Sequence, residues 1–400
     1  IFAAPVSGAH EFGAKQLPLF YSAWLLCLTG LLGITITGDA FNVFVFFEIS
    51  SLASYALIAM GRDRRALTAS YQYLVMGTIG TTFILIGIGF LYMMTGTLNM
   101  VDLAARLPEV YDTRTVRAAF AFLMVGICLK LALFPLHLWL PNAYAYAPSI
   151  VTALLAATAT KVAVYILLRI FYSVFGVDFS FNVLPMAWIL LPLALIGMFS
   201  QSLVAIYQDD VKRMLAYSSV AQIGYMILGV SFVSLTGLTA TLLHLFNHAL
   251  MKGALFLVLA CVVYRVGSTE LSRMAGLGKA MPWTMGAFVI GGLSLIGVPL
   301  TVGFVSKWYL LAASMERGWW PVAALIVITS LMAAVYIWRV IETAYFQERP
   351  TGSKAVSEAP LSLLIPAWVL TIANVWFGVQ TNVTVGGAQR AAAILMGGGG

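Results

Sequence analysis

The chain has 400 residues, 61% of them hydrophobic and 9% charged, with a mean hydropathy of +0.95. That balance excludes a soluble globular domain and leaves a polytopic membrane protein. The net charge of +7 does not mark a nucleic-acid binder, because the 22 Lys and Arg are dispersed along the chain.

The opening stretch, IFAAPVSGAHEFGAKQLP, carries neither an initiator Met nor signal-peptide architecture, so the natural N-terminus is expected to lie upstream. Apolar windows of about 20 residues are long enough to cross about 30 Å of hydrocarbon. Eleven follow in order, at roughly 17–38, 40–61, 69–95, 117–145, 147–174, 185–207, 213–235, 238–264, 283–312, 319–346 and 360–380. The loops between them are short, so residues 1–400 read as one all-α transmembrane domain, and the closing GGGG is set aside as a tail.

Every second loop is basic. Lys15, Arg62, Arg64, Arg65, Lys212, Arg213, Arg265, Arg273, Lys279, Arg349 and Lys354 fall on one side, against Arg106, Arg114, Arg117 and Arg317 on the other. The positive-inside rule makes the first side cytoplasmic, with the loops after Gly61, Tyr207, Tyr264 and Phe346 facing it, as in an inner (plasma) membrane protein. Cys27, Cys128 and Cys261 lie inside apolar segments without pairing or ligand spacing and read as small hydrophobes.

Segments one to five (about 17–174) and six to ten (about 185–346) look like two copies of one five-helix unit, with one extra helix at about 360–380. Five is odd, so the copies are inverted. The fourth member of each is interrupted, by Pro135 and Pro141 in the first and by GVPLTVG, with Pro299, in the second. Each interrupted helix carries a lysine near its break, Lys130 and Lys307. Broken helices in matching positions of inverted halves point to an ion site, because freed backbone groups need polar partners.

Other ionisable residues extend the pattern. Glu48 and Lys161 each sit near mid-span, and His244, His248 and Lys252 recur every four residues on one helical face. Intramembrane ionisable residues are costly and by default functional. Neutral imidazole accepts on one nitrogen while donating from the other, so this spacing is a ladder for protons. A lysine taken out of water can also release its proton near neutral pH, and a nearby carboxylate opposes that release. His137 is open to both packing and transport readings, and Asp39 to helix capping and ion uptake. Arg339 and Glu342, three residues apart, read as a structural ion pair. No Glu, Asp or Cys completes a zinc site beside the histidines. No phosphate-cradling loop, Cys cluster or activated nucleophile suggests a cofactor or an enzyme.

The segments GDAFNVFVFFEISSLASYAL, LKLALFPLHLWLPNAYAYAPSIVTALLAATATKVAVYILLR, DDVKRMLAYSSVAQIGYMILG, HLFNHALMKGALFL and GVPLTVGFVSKW resemble the antiporter-like subunits shared by respiratory complex I, membrane-bound hydrogenases and Mrp-type cation/proton antiporters. The resemblance covers roughly residues 20 to 345. It implies that Glu48 is the motif glutamate of the family's fifth helix, Lys130 the lysine of the broken seventh, Lys161 the bridging lysine of the eighth, His244, His248 and Lys252 the central relay, and Lys307 the terminal lysine of the broken twelfth. Segment one then matches the family's fourth helix, with the first three expected to be missing from this sequence.

Within the family, the run through Glu48 and LYMMTGTLNMVDLA are most similar to the D-type subunit of Mrp antiporters. The resemblance thus implies a proton-translocating membrane subunit of a multisubunit sodium/proton antiporter, packed against sister subunits. The alternative is the equivalent subunit of an NADH-quinone oxidoreductase or hydrogenase-type complex, whose redox sites lie in other chains.

Overall fold

A computed structural model describes residues 3–12, 14–349 and 355–397; Lys354 and glycines 398–400, which enter the sequence reading, lie outside the described residues. The protein is a helical membrane bundle. A short helix, α1 (Ala4–Glu11), precedes α2 (Leu17–Ile36), α3 (Ala40–Ala59) and α4 (Arg65–Thr95). A surface helix, α5 (Met100–Arg106), leads to an interrupted span, α6 (Arg114–Leu131) and α7 (Trp139–Tyr146), and then to α8 (Ser149–Leu168), which runs on as a π-turn to Val174. The second half comprises α9 (Met186–Ile206), α10 (Val211–Ser231), α11 (Leu235–Val266), the short α12 (Leu277–Ala280), the interrupted pair α13 (Pro282–Ile296) and α14 (Val302–Glu316), and α15 (Trp320–Phe346). Two helices close the described chain, α16 (Leu361–Val379) and α17 (Asn382–Leu395). Among the described residues nine helices are continuous, long and apolar enough to span, and the two interrupted pairs complete the eleven segments expected.

Burial follows from these sequences. The outer helices expose apolar side chains, as Leu19, Leu25, Leu331 and Leu361 do, which a lipid-facing surface requires. By contrast, α10 is buried along its whole length except at Arg213 and Tyr217. It packs on α7, α9, α11 and α14, while α11 also touches α8, α13, α16 and α17. Small residues permit the closest crossings: a Cβ on Gly126 of α6 would lie 2.5 Å from Gly80 O of α4.

The repeat has a local signature. Asp39 caps α3, its Oδ1 accepting from Asn42 N at 2.8 Å, and its backbone bridges Asn99 through Ala40 N to Leu98 O (2.8 Å) and Met100 N to Gly38 O (2.9 Å). Asp210 likewise caps α10, with Oδ1 2.8 Å from Arg213 N, and bridges Glu270 at the same interval along the chain. The equivalent bonds run from Val211 N to Thr269 O (2.8 Å) and from Leu271 N to Asp209 O (2.7 Å). Five spans separate the starts of α3 and α10, so the same device occupies opposite membrane faces, as inverted copies demand.

Two expectations need amending. The C-terminal span, α16, ends at Val379 as expected, but it is not the last helix: after a turn α17 follows, and its Ala388 packs on Leu243 and Val305. Asn382, Gly386, Gly387, Gln389 and Arg390 kept that stretch from reading as an apolar segment. Nor does Arg339 pair with Glu342. It reaches across to α9 and the following loop, contacting Ile206 O, Gln208 O and, at 3.3 Å, the Asp209 carboxylate. The freed carbonyls at the end of α9 draw the guanidinium there.

The Gly80–Gly126 contact predicts that Gly126→Leu costs about 1–3 kcal/mol by overpacking. Gly89→Leu, on the same α4 but with nothing within 4 Å of its Cβ, is expected to be near neutral. Thermal unfolding in detergent, followed by tryptophan fluorescence, separates the two; equal melting temperatures would mean the crossing relaxes freely.

Candidate proton-relay axis

The first break lies between Leu131 and Trp139, with Pro135 inside it and Pro141 in the first turn of α7. Pro135 does not itself end α6. The helix closes one residue past Lys130, where Ala132 takes the left-handed conformation (φ 59°), its N–H meets Leu129 O, and Leu133 N reaches Cys128 O at 3.0 Å. That is a Schellman cap. The Trp139 indole donates to Leu129 O at 3.0 Å and its ring stacks on Tyr73 at 3.9 Å, so side chains as well as backbone fill the carbonyls the break frees.

Lys130, 5% exposed, points across to α3 and donates to Ser51 Oγ at 2.7 Å. Glu48 lies one turn earlier on α3, half-buried, and among the described residues no carboxylate comes within 4 Å of the ammonium. His137 is buried inside the break against Phe134, with its Nδ1 unpartnered. Asp39, at the N-cap of α3, stands apart from this group.

Lys161 sits on α8 and donates back to Ala156 O and to Thr160 Oγ1. A Cβ on Gly253, next to Lys252, would lie 3.7 Å from Ala157, so α8 and α11 meet beside the two lysines. Lys252, fully buried, donates to Leu215 O at 2.8 Å and to Ser218 Oγ, both on α10. Up the same face of α11, His248 and His244 stack 6.1 Å apart and nearly parallel. Neither ring nitrogen of His248 has a partner among the described residues, and His244 Nδ1 is 2.9 Å from Ser306 Oγ.

The second break runs from Gly297 (φ 93°), which caps α13, to Thr301, with Pro299 inside it. Lys307 follows the break instead of preceding it. Its Nζ turns back to the end of α13 and donates to Leu295 O (3.0 Å) and Ile296 O (2.8 Å), two carbonyls the break leaves free. The ammonium also lies 4.9 Å from the Tyr225 ring, which is 5.5 Å from the His244 ring. Contacts thus run from Lys307 through Tyr225 and His244 to His248, with Lys252 one turn further along α11, while Lys161 on α8 and the Lys130–Ser51 pair belong to the first half.

Sequence reading missed the hydroxyl partners Ser51, Ser218, Tyr225 and Ser306. A signal was present: AYSSVAQIGY places Ser218, Gln222 and Tyr225 at helical spacing in an otherwise apolar span. No group of three or more His, Cys, Asp or Glu capable of holding a metal occurs among the described residues.

A bundle that buries a line of lysines and histidines between two interrupted helices is a charge-moving membrane subunit. The sequence profile described as "NADH:quinone oxidoreductase/Mrp antiporter, TM" matches residues 37–333, and the chain belongs to that family. It is 47% identical over 372 residues to the N-type subunit of the NADH-quinone oxidoreductase of Desulforudis audaxviator, covering 90% of this chain and 74% of the relative. Identity to the D-type subunit of the Na(+)/H(+) antiporter of Alkalihalophilus pseudofirmus is 32% over 359 residues, covering 90% and 72%. Among solved structures, a chain of the Mrp complex from Dietzia sp. DQ12-45-1b superposes with a TM-score of 0.86 at 28% identity, covering 94% of this chain and 77% of that one. The protein is an antiporter-like membrane subunit of the Mrp or complex I type.

Trp139→Phe keeps the stacking ring and removes the donor to Leu129 O. We expect it to lower stability by about 1 kcal/mol, read as a fall in melting temperature in detergent. An unchanged melting temperature would show that the indole bond is dispensable to the break.

Proposed function

We propose that this chain translocates protons along Glu48, Lys130, Lys161, His244, His248, Lys252 and Lys307, as a subunit of a larger membrane complex. The observation that carries this reading is that every lysine on the axis is held by neutral oxygens alone. Such a group keeps hydrogen bonds whether charged or not, and can hand its proton on. His248, open at both ring nitrogens, can accept from one side and donate to the other through water. Glu48, one turn from the Ser51 hydroxyl that holds Lys130, is placed to bias when that lysine keeps its proton. Asp39 serves as a helix cap, and His137 is an accessory group in the first break.

Two assemblies are supported. The D-type motifs and the superposition on a chain of an Mrp complex favour a multisubunit sodium/proton antiporter. The 47% identity to an N-type subunit favours an NADH-quinone oxidoreductase type, with redox chemistry in sister subunits. In both, the basic loops after Gly61, Tyr207, Tyr264 and Phe346 face the cytoplasm of an inner membrane. The polypeptides that co-purify decide between them: flavin and iron–sulfur subunits mark the second, and sodium-dependent proton release in proteoliposomes marks the first.

In the assembled complex, Lys130→Ala should abolish proton movement, measured with a pH-sensitive dye in vesicles. Lys130→Arg should also fail, because a guanidinium keeps its charge but does not release its proton at accessible pH. Full transport in either variant would sink the axis.

A further inference from the structure

A cleft of about 440 Å³ opens at the face assigned to the cytoplasm, on the seam between the two halves. Its acidic groups are Glu11, Asp63, Asp210 and Glu270, and its basic groups are Arg62, Arg65, Lys212 and Arg213. Equal numbers of each sign leave the cleft without the net charge that would collect an anionic or cationic ligand, and make its wall hydrophilic.

Two of these groups reach inward. Glu11, carried on α1, accepts from Ser149 N through both carboxylate oxygens (3.1 and 3.3 Å) and so caps α8, the helix of Lys161. Lys212, only 5% exposed, is in the first turn of α10 and donates to Ala147 O at the end of α7. No carboxylate lies within 4 Å of it among the described residues. Further along the same helix, Leu215 O and Ser218 Oγ are the two atoms that hold Lys252. Six residues of helix rise about 9 Å, so Lys212 and the Ser218–Lys252 pair stand at successive depths along α10.

We propose that this cleft is the mouth through which the axis exchanges protons with water on that face, and that Lys212 carries them between the cleft and Lys252. The inference rests on the proton-translocating reading above and adds a relay residue and an access route to it. In the inward direction, the Lys212 ammonium gives one proton, through water along α10 and then the Ser218 hydroxyl, to the Lys252 amine. The resulting Lys212 amine takes one from cleft water, on whose wall the Glu11 carboxylate lies. Only N–H and O–H bonds change, and each cycle restores Lys212. Lys212 is thereby more than a tie between the halves, since a tie requires only the bond to Ala147 O.

The test uses the intact complex in vesicles, with Lys130→Ala alongside. Lys212→Arg keeps the charge and the donor to Ala147 O but cannot release a proton, and should slow proton movement by about tenfold or more. A second arm places Ser268→Cys on the cleft wall and treats it with a membrane-impermeant cationic thiol reagent; the native Cys27, Cys128 and Cys261 are buried. Labelling, checked by mass, should slow transport by about fivefold. Normal transport in Lys212→Arg with Lys130→Ala dead makes Lys212 a structural tie and overturns the inference while leaving the proton-translocating function standing. If Lys212→Arg does not assemble, the labelled cleft decides alone, and unimpeded transport there overturns the proposal. Normal transport in Lys130→Ala as well removes the function reading itself.

Discussion

The constraint on which the rest of this structure depends is the burial of ammonium groups in a bundle that gives them no counter-ion. Lys130, Lys161, Lys212, Lys252 and Lys307 are each 5% exposed or less, and among the described residues none lies within 4 Å of a carboxylate. A carboxylate at 4 Å would contribute about 4 kcal/mol at an effective dielectric of 20, enough to hold a proton against roughly a thousandfold change in proton activity. Carbonyl and hydroxyl oxygens solvate the ammonium without imposing that lock. The fold must then provide unspent oxygens deep in the membrane, where every backbone group is normally consumed by its own helix.

The two halves meet that demand differently. In the second, the break itself is the source: α13 ends at Gly297, Leu295 O and Ile296 O are freed, and Lys307 folds back onto them. In the first, the break is closed on itself by the Ala132 cap and the Trp139 indole, and Lys130 takes a serine hydroxyl from α3 instead. Lysine placement follows, before the break in one half and after it in the other. Inverted topology therefore does not mean equivalent chemistry. Lys130 answers to α3, where Glu48 sits, while Lys307 answers to the integrity of its own broken helix.

Much of this was legible in the sequence because the membrane makes charge conspicuous. A Lys or His inside a run such as TLLHLFNHALMKGALFLVL has no bland surface position to occupy, so its number alone places it in the interior. Prolines and glycines at matched positions gave the breaks for the same reason. Hydroxyls were less legible: Ser51, Ser218 and Ser306 look like ordinary small residues, and their role depends on which helix faces them, which no single-helix pattern encodes. Long-range polar choices were also hidden. Arg339 prefers the open end of α9 to a carboxylate on its own helix, and Asp39 and Asp210 find backbone partners sixty residues on, at Asn99 and Glu270. The second C-terminal helix was missed because its packing face is made of alanines, which carry little hydropathic signal.

The buried helix α10 ties these elements together. It starts at the Asp210 bridge, lends Leu215 O and Ser218 Oγ to Lys252, and ends its polar stripe at Tyr225, between Lys307 and His244. A helix polar on a face that must be inside the membrane cannot turn that face to lipid, so α10 is forced to the centre. Once there, it touches the fully buried lysine, His244 and the Lys307 ammonium beside the second break. The polar stripe that fixes its position in the bundle is also the surface that joins those groups into a line, so the packing demand and the relay have the same residues as their cause.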